Sequence, residues 1–124
     1  MDKICLVTGS FLGALSVMLG AFGAHALKGA VSEYYLQVFE TACRYQMYHA
    51  LALLFLGLSF GKGSFFWMGS AGILFMLGTL LFSGSLYLLV LTKIKILGAV
   101  TPVGGLCLIL GWLSLAVSFM GTTR

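Results

Sequence analysis

Three stretches of this chain, residues 4–27, 63–92 and 96–123, contain no charged side chain. The first runs from Ile4 to Leu27; as a helix rising about 1.5 Å per residue it exceeds a hydrocarbon core of roughly 30 Å. A stretch of that kind reads as a membrane span. The composition agrees: 60% of the residues are hydrophobic and 8% charged, against a usual charged share of roughly 25%, too little to solvate a globular surface. The expectation is one all-α membrane domain over residues 1–124.

A cleaved secretory signal is the rival reading of the first stretch. Lys3 supplies its positive start, and Ala24-His25-Ala26 has the small-x-small pattern of a cleavage site. The apolar part of a signal is only about 7 to 15 residues long, however, and more apolar stretches follow. An uncleaved first span, about residues 4–27, is the better account.

Between Lys28 and Arg44 polarity is dispersed. Gly29 can end the first helix and Ser32 can cap the next. Glu33, Gln37, Glu40 and Arg44 then recur at spacings of 4, 3 and 4 along one helical face. This predicts an interfacial amphipathic helix over about 32–44 that runs on into a second span, about 45–60, with Glu40 and Arg44 placed for an i,i+4 pair. Gly61-Lys62-Gly63-Ser64 is a turn, followed by the interfacial aromatics Phe65, Phe66 and Trp67. The third span, about 65–91, ends at Thr92-Lys93-Ile94-Lys95. The fourth, about 97–120, contains Pro102, so it either starts at Thr101 or bends there; an irregular start is favoured. Short connections make the four spans an antiparallel up-down bundle.

Small residues form two seams. Gly9, Gly13, Ser16, Gly20 and Gly23 repeat along the first helix, and Gly104, Cys107, Gly111, Ser114, Ser118 and Gly121 along the fourth. Association in lipid depends on close van der Waals contact, so these seams are expected to mark helix packing within the chain, or a subunit or partner interface. Cys5, Cys43 and Cys107 are odd in number and widely spaced, which supports neither a disulfide framework nor a metal pair. The seven Lys and Arg are scattered singly, without the clustered stripe of a nucleic-acid-binding protein.

His25 and His49 are the only histidines. His25 sits three residues before Lys28 and His49 five after Arg44 on antiparallel helices, so both imidazoles are expected about one helical turn inside the same interface. They would then form a candidate ligand site with Lys28, Glu40, Arg44 and Tyr45. The plainest role is structural, because an unsatisfied polar group in lipid is costly. The second is binding of a lipid head group, quinone or small anion. The third, bis-histidine ligation of haem or a metal, usually shows more ligands. No nucleophile triad, carboxylate pair or zinc motif is present, so no catalytic residue, metal or cofactor is expected.

GAFGAHALKG, FETACRYQMYHALALL, LFSGSLYLL and TPVGGLCLILGW, in that order, resemble the YgdD/YwdK-like family of small bacterial inner-membrane proteins, classed under a domain of unknown function. The resemblance covers nearly the whole chain. It implies a four-helix integral protein of the cytoplasmic membrane and brings no activity with it. The expected role is that of a non-enzymatic accessory, assembly or lipid-interacting component, with membrane lipids, further copies or another membrane protein as partners. The alternative is a small oligomeric transporter or channel. Lys3, Lys62 and Arg124 on one side nearly balance Lys28, Lys93 and Lys95 on the other, plus Arg44 if it counts, so basic residues alone do not choose an orientation.

Overall fold

The computed structural model describes residues 1–121; Arg124 lies outside the described residues. Four helices follow one another: α1 (Asp2–Phe22), α2 (Glu33–Ser59), α3 (Phe65–Thr92) and α4 (Thr101–Met120). A π-helical turn, Gly23–Leu27, extends α1, and a 3₁₀ turn, Lys95–Ala99, precedes α4. Among the described residues, three segments are long and apolar enough to cross a membrane: Asp2–Leu27, Phe65–Thr92 and Lys95–Met120. The fourth long helix, α2, is unbroken through Arg44 and has 27 residues. Its first half carries Glu33, Glu40 and Arg44, so hydropathy alone does not mark it as a span.

Each boundary has a local cause. Ser32 is extended, and its Oγ accepts the Tyr35 N–H at 3.3 Å, capping α2. Gly29 and Gly61 adopt φ of +86° and +92° in the turns after α1 and α2, conformations that disfavour a Cβ. Lys93 closes α3 with φ 58°, a left-handed cap that usually falls to glycine, and its Nζ sits 5.6 Å above the Tyr35 ring. Of the two alternatives for Pro102, the structure takes the first. The helix starts at Thr101, and proline occupies the first turn, where it has no hydrogen bond to lose.

The helices pack mainly in chain order, α1 on α2, α2 on α3 and α3 on α4. Cys5, Leu53, Leu56, Met68, Ala71 and Phe75 are fully buried at the centre, nearer the end that carries the α2–α3 turn. A smaller cluster of Leu27, Phe39 and Val90 closes the opposite end. The Ser64 N–H donates to the Ser118 carbonyl at 2.9 Å, which ties the end of α4 to the start of α3.

Candidate functional site

The polar side chains inside the bundle are largely bound to one another. Gln46 Nε2 on α2 donates to the Leu12 carbonyl of α1 at 2.9 Å, and its Oε1 accepts from the Tyr87 hydroxyl of α3 at 2.7 Å. Ser83 Oγ donates to the Ala42 carbonyl at 2.8 Å. His49, 4% exposed, has Nδ1 at 2.7 Å from the Tyr45 carbonyl and Nε2 at 3.1 Å from Trp112 Nε1 of α4. A carbonyl only accepts and an indole N–H only donates, so these partners select the neutral ring with its proton on Nδ1. Both nitrogens are occupied: Nδ1 by a carbonyl one turn back on α2 itself, and Nε2 by the bond that joins α2 to α4.

The six candidate ligand residues do not come together; they divide into three places. His49 and Tyr45 belong to the α3 and α4 side, where the tilted Tyr45 and Phe82 rings have centroids 4.7 Å apart. His25 and Lys28 are exposed on and just after the π-helical turn. Glu40 and Arg44 line a groove between α1 and α2. The reason is register. Gly9 lies against Ala50, Leu12 is bonded to Gln46, and Gly23 lies against Phe39. Extending that register sets His25 level with about Leu36, some thirteen residues from His49, or about 20 Å at 1.5 Å per residue. Lys28 and Arg44 therefore do not mark one boundary, and the two imidazoles cannot ligate one iron.

The α1/α2 groove, about 380 Å³, is lined by Ser16, Val17, Gly20 and Gly23 of α1 and by Phe39, Glu40, Cys43, Arg44 and Met47 of α2. Glu40 and Arg44 share a face one turn apart, but they form no ion pair. Among the described residues that interaction is confined to the Met1 ammonium and Asp2, 3.5 Å apart. Beside them the Ser16 hydroxyl is buried and has no hydrogen-bond partner among the described residues. A helical serine commonly bonds the carbonyl four residues back; here that carbonyl, Leu12, already accepts from Gln46. Thr79 carries the other orphaned buried hydroxyl among the described residues, in an apolar crevice between α1 and α3 near Leu12, Met76 and Leu80.

The small-residue seams differ from one position to the next. A Cβ at Gly9 would lie 2.8 Å from the Ala50 carbonyl oxygen, one at Gly23 2.9 Å from the Phe39 ring, and one at Gly111 2.8 Å from the Phe75 ring. At Gly104 it would collide with the Phe82 backbone, and at Gly13 it would touch the Ala50 methyl at 3.9 Å. Ser114 and Ser118 are buried, and Ser118 Oγ donates to the Leu115 carbonyl at 2.6 Å. Gly20 departs from the packing expectation. Nothing lies within 4 Å of a Cβ there, because the groove opens at that level. Sequence reasoning missed the Trp112 bond to His49, which joins residues 63 apart, and the orphaned Ser16 hydroxyl; no local pattern signals either.

Long apolar helices around a pinned polar interior define the class, an all-helical multi-pass membrane protein. The family model described as protein of unknown function (DUF423) matches residues 19–105. The chain belongs to that family. It is 49% identical to a UPF0382 membrane protein of Staphylococcus haemolyticus over 116 residues, 94% of each chain. It is 45% identical to the UPF0382 membrane protein YwdK of Bacillus subtilis over 119 residues, 94% of this chain and 95% of the relative. No solved structure matches it.

Proposed function

We propose that α2 is a fourth crossing and that the protein is a non-enzymatic accessory, assembly or lipid-interacting component of the cytoplasmic membrane, working through its outer flank. One observation carries this reading: the polar side chains inside the bundle are largely bonded to one another, while Glu40 and Arg44, the ionisable pair on α2, line an open groove on the outside. An ion or solute path usually needs ionisable groups facing a cavity inside the bundle. Here the interior's ionisable side chain, His49, has both ring nitrogens bonded and is packed beside the fully buried Leu53, Leu56, Met68 and Phe75 core.

Two measurements test the reading. Reporters inserted at Gly29 and at Lys62 report opposite sides of the membrane if α2 crosses it; both on one and the same side removes the fourth crossing. Gentle-detergent purification followed by native mass spectrometry should retain lipid or a protein partner. Saturable flux of a small solute into liposomes that hold only this protein would replace the accessory role with transport.

A further inference from the structure

The groove between α1 and α2 presents its polar groups in a definite order along the membrane normal, and the ends of α4 set the scale. With 20 residues, α4 is about 30 Å long, one hydrocarbon thickness. Its first residue is fixed to α3 by Ser85 Oγ and Thr101 Oγ1, 2.6 Å apart, while Ser83, two residues earlier on α3, bonds the Ala42 carbonyl. Because α2 and α3 are antiparallel, the start of α4 is level with Glu40. Glu40 therefore stands at the hydrocarbon edge, and Arg44, four residues on, about 6 Å deeper. The α1/α2 register sets the unpartnered Ser16 hydroxyl at the depth of Cys43 to Gln46, beside Arg44. The cation and a free hydroxyl donor lie inside, and the carboxylate lies outside.

A membrane phospholipid carries its charges in the complementary order, with the phosphate at the hydrocarbon edge and any head-group amine further toward water. We propose that this groove binds a phospholipid bearing a primary ammonium beyond its phosphate, of the phosphatidylethanolamine kind. Arg44, its long side chain reaching outward to the edge, donates to the phosphate oxygens, and Glu40 accepts from the ammonium. The open surface at Gly20 leaves room for the head group beside them. Each hydrogen bond involves an ionised partner and is stronger than its neutral equivalent. A phosphatidylglycerol head would leave Glu40 without a cation, and a choline head offers no N–H to donate.

This inference rests on α2 crossing the membrane, and the reporters at Gly29 and Lys62 test that separately. The experiment is native mass spectrometry of the full chain in nanodiscs holding equal parts phosphatidylethanolamine, phosphatidylcholine and phosphatidylglycerol with identical acyl chains. We expect the ethanolamine lipid to be retained about tenfold over the choline lipid, the worth of one charge-assisted contact. Glu40→Gln should remove that preference. Arg44→Gln should lose all three lipids. Gly20→Leu should also lose them by filling the groove, with no fall in melting temperature, since no atom of a facing helix lies within 4 Å of a Cβ there. Equal retention of the three lipids, a preference that survives Glu40→Gln, or a dimer that dissociates with Glu40→Gln while lipid stays bound overturns the proposal. The last outcome would give the groove to a second copy.

Discussion

The α3/α4 interface and the α1/α2 interface start from the same material, a helix with a small residue at nearly every turn, and end differently. Along α3/α4 the fit closes wherever it can: Gly78 lies under Leu108, Gly104 against the Phe82 backbone and Gly111 under Phe75. Along α1/α2 it closes at Gly9, Gly23 and Gly57 and opens at Gly20. The facing helix accounts for the difference. Opposite Gly104 and Gly111 stand Phe82 and Phe75, which gain from contact; near Gly20 stand Glu40 and Arg44, whose heads lose solvation if a helix closes over them. A small-residue seam is thus a licence to pack, and the partner surface decides whether it is used.

The largest expected effect comes from filling a closed point. Gly104→Val drives a side chain into the Phe82 backbone, which cannot move aside as a flexible side chain would, and should cost about 3 kcal/mol or more. Thermal unfolding in detergent checks it, and a wild-type melting temperature would mean that the two helices are not locked there. Next comes Trp112→Phe, which keeps most of the packing but leaves His49 Nε2 buried without its donor, at a cost of about 1–3 kcal/mol. Nitrogen NMR of His49 should show the proton on Nδ1 in the parent protein; a proton on Nε2 would contradict the assigned bond. Tyr87→Phe removes one interhelical bond to Gln46 and should cost only about 0.6 kcal/mol, near the average for such bonds in membranes. A double-mutant cycle with Gln46→Leu isolates that coupling, and a value near zero breaks the assigned network. At the open point, Gly20→Ala should change stability by no more than about 1 kcal/mol, in the stabilising direction; a clear loss would show that the groove closes in the membrane.

The element ends were largely legible. Capping by Ser32, the Gly61-Lys62-Gly63-Ser64 turn and the start of α4 near Pro102 depend on residues adjacent in sequence, and local chemistry determines them. Depth was not legible. Lys28 and Arg44 looked like flags at one water boundary, which put His25 and His49 together. In the structure the turn from Lys28 to Ser32 is so short that the first turns of α2 run back along the last turns of α1 instead of lying beyond them, so Arg44 stands beside Ser16 and Gly20. Which residue of one helix lies level with which of another is set by glycine contacts such as Gly9 with Ala50, and a single sequence gives each seam but not its mate. The candidate site was legible in part for the same reason: Glu40 and Arg44 share one face by spacing alone, while Ser16 joins them through the register.

Lys93 has a consequence for how such a chain evolves. Its left-handed backbone costs about 1–2 kcal/mol relative to glycine, and its ammonium over Tyr35 returns about 0.5–1 kcal/mol. Exchange of lysine for glycine at this cap is therefore close to neutral for the fold. With α2 crossing as proposed, it also removes one basic residue from the side that carries Lys28 and Lys95, and basic residues near the ends of spans weigh on the direction of insertion. A lineage can thus pass through Lys93→Gly with little selection on folding, so the charge at this end of the bundle is free to vary while the cap is kept.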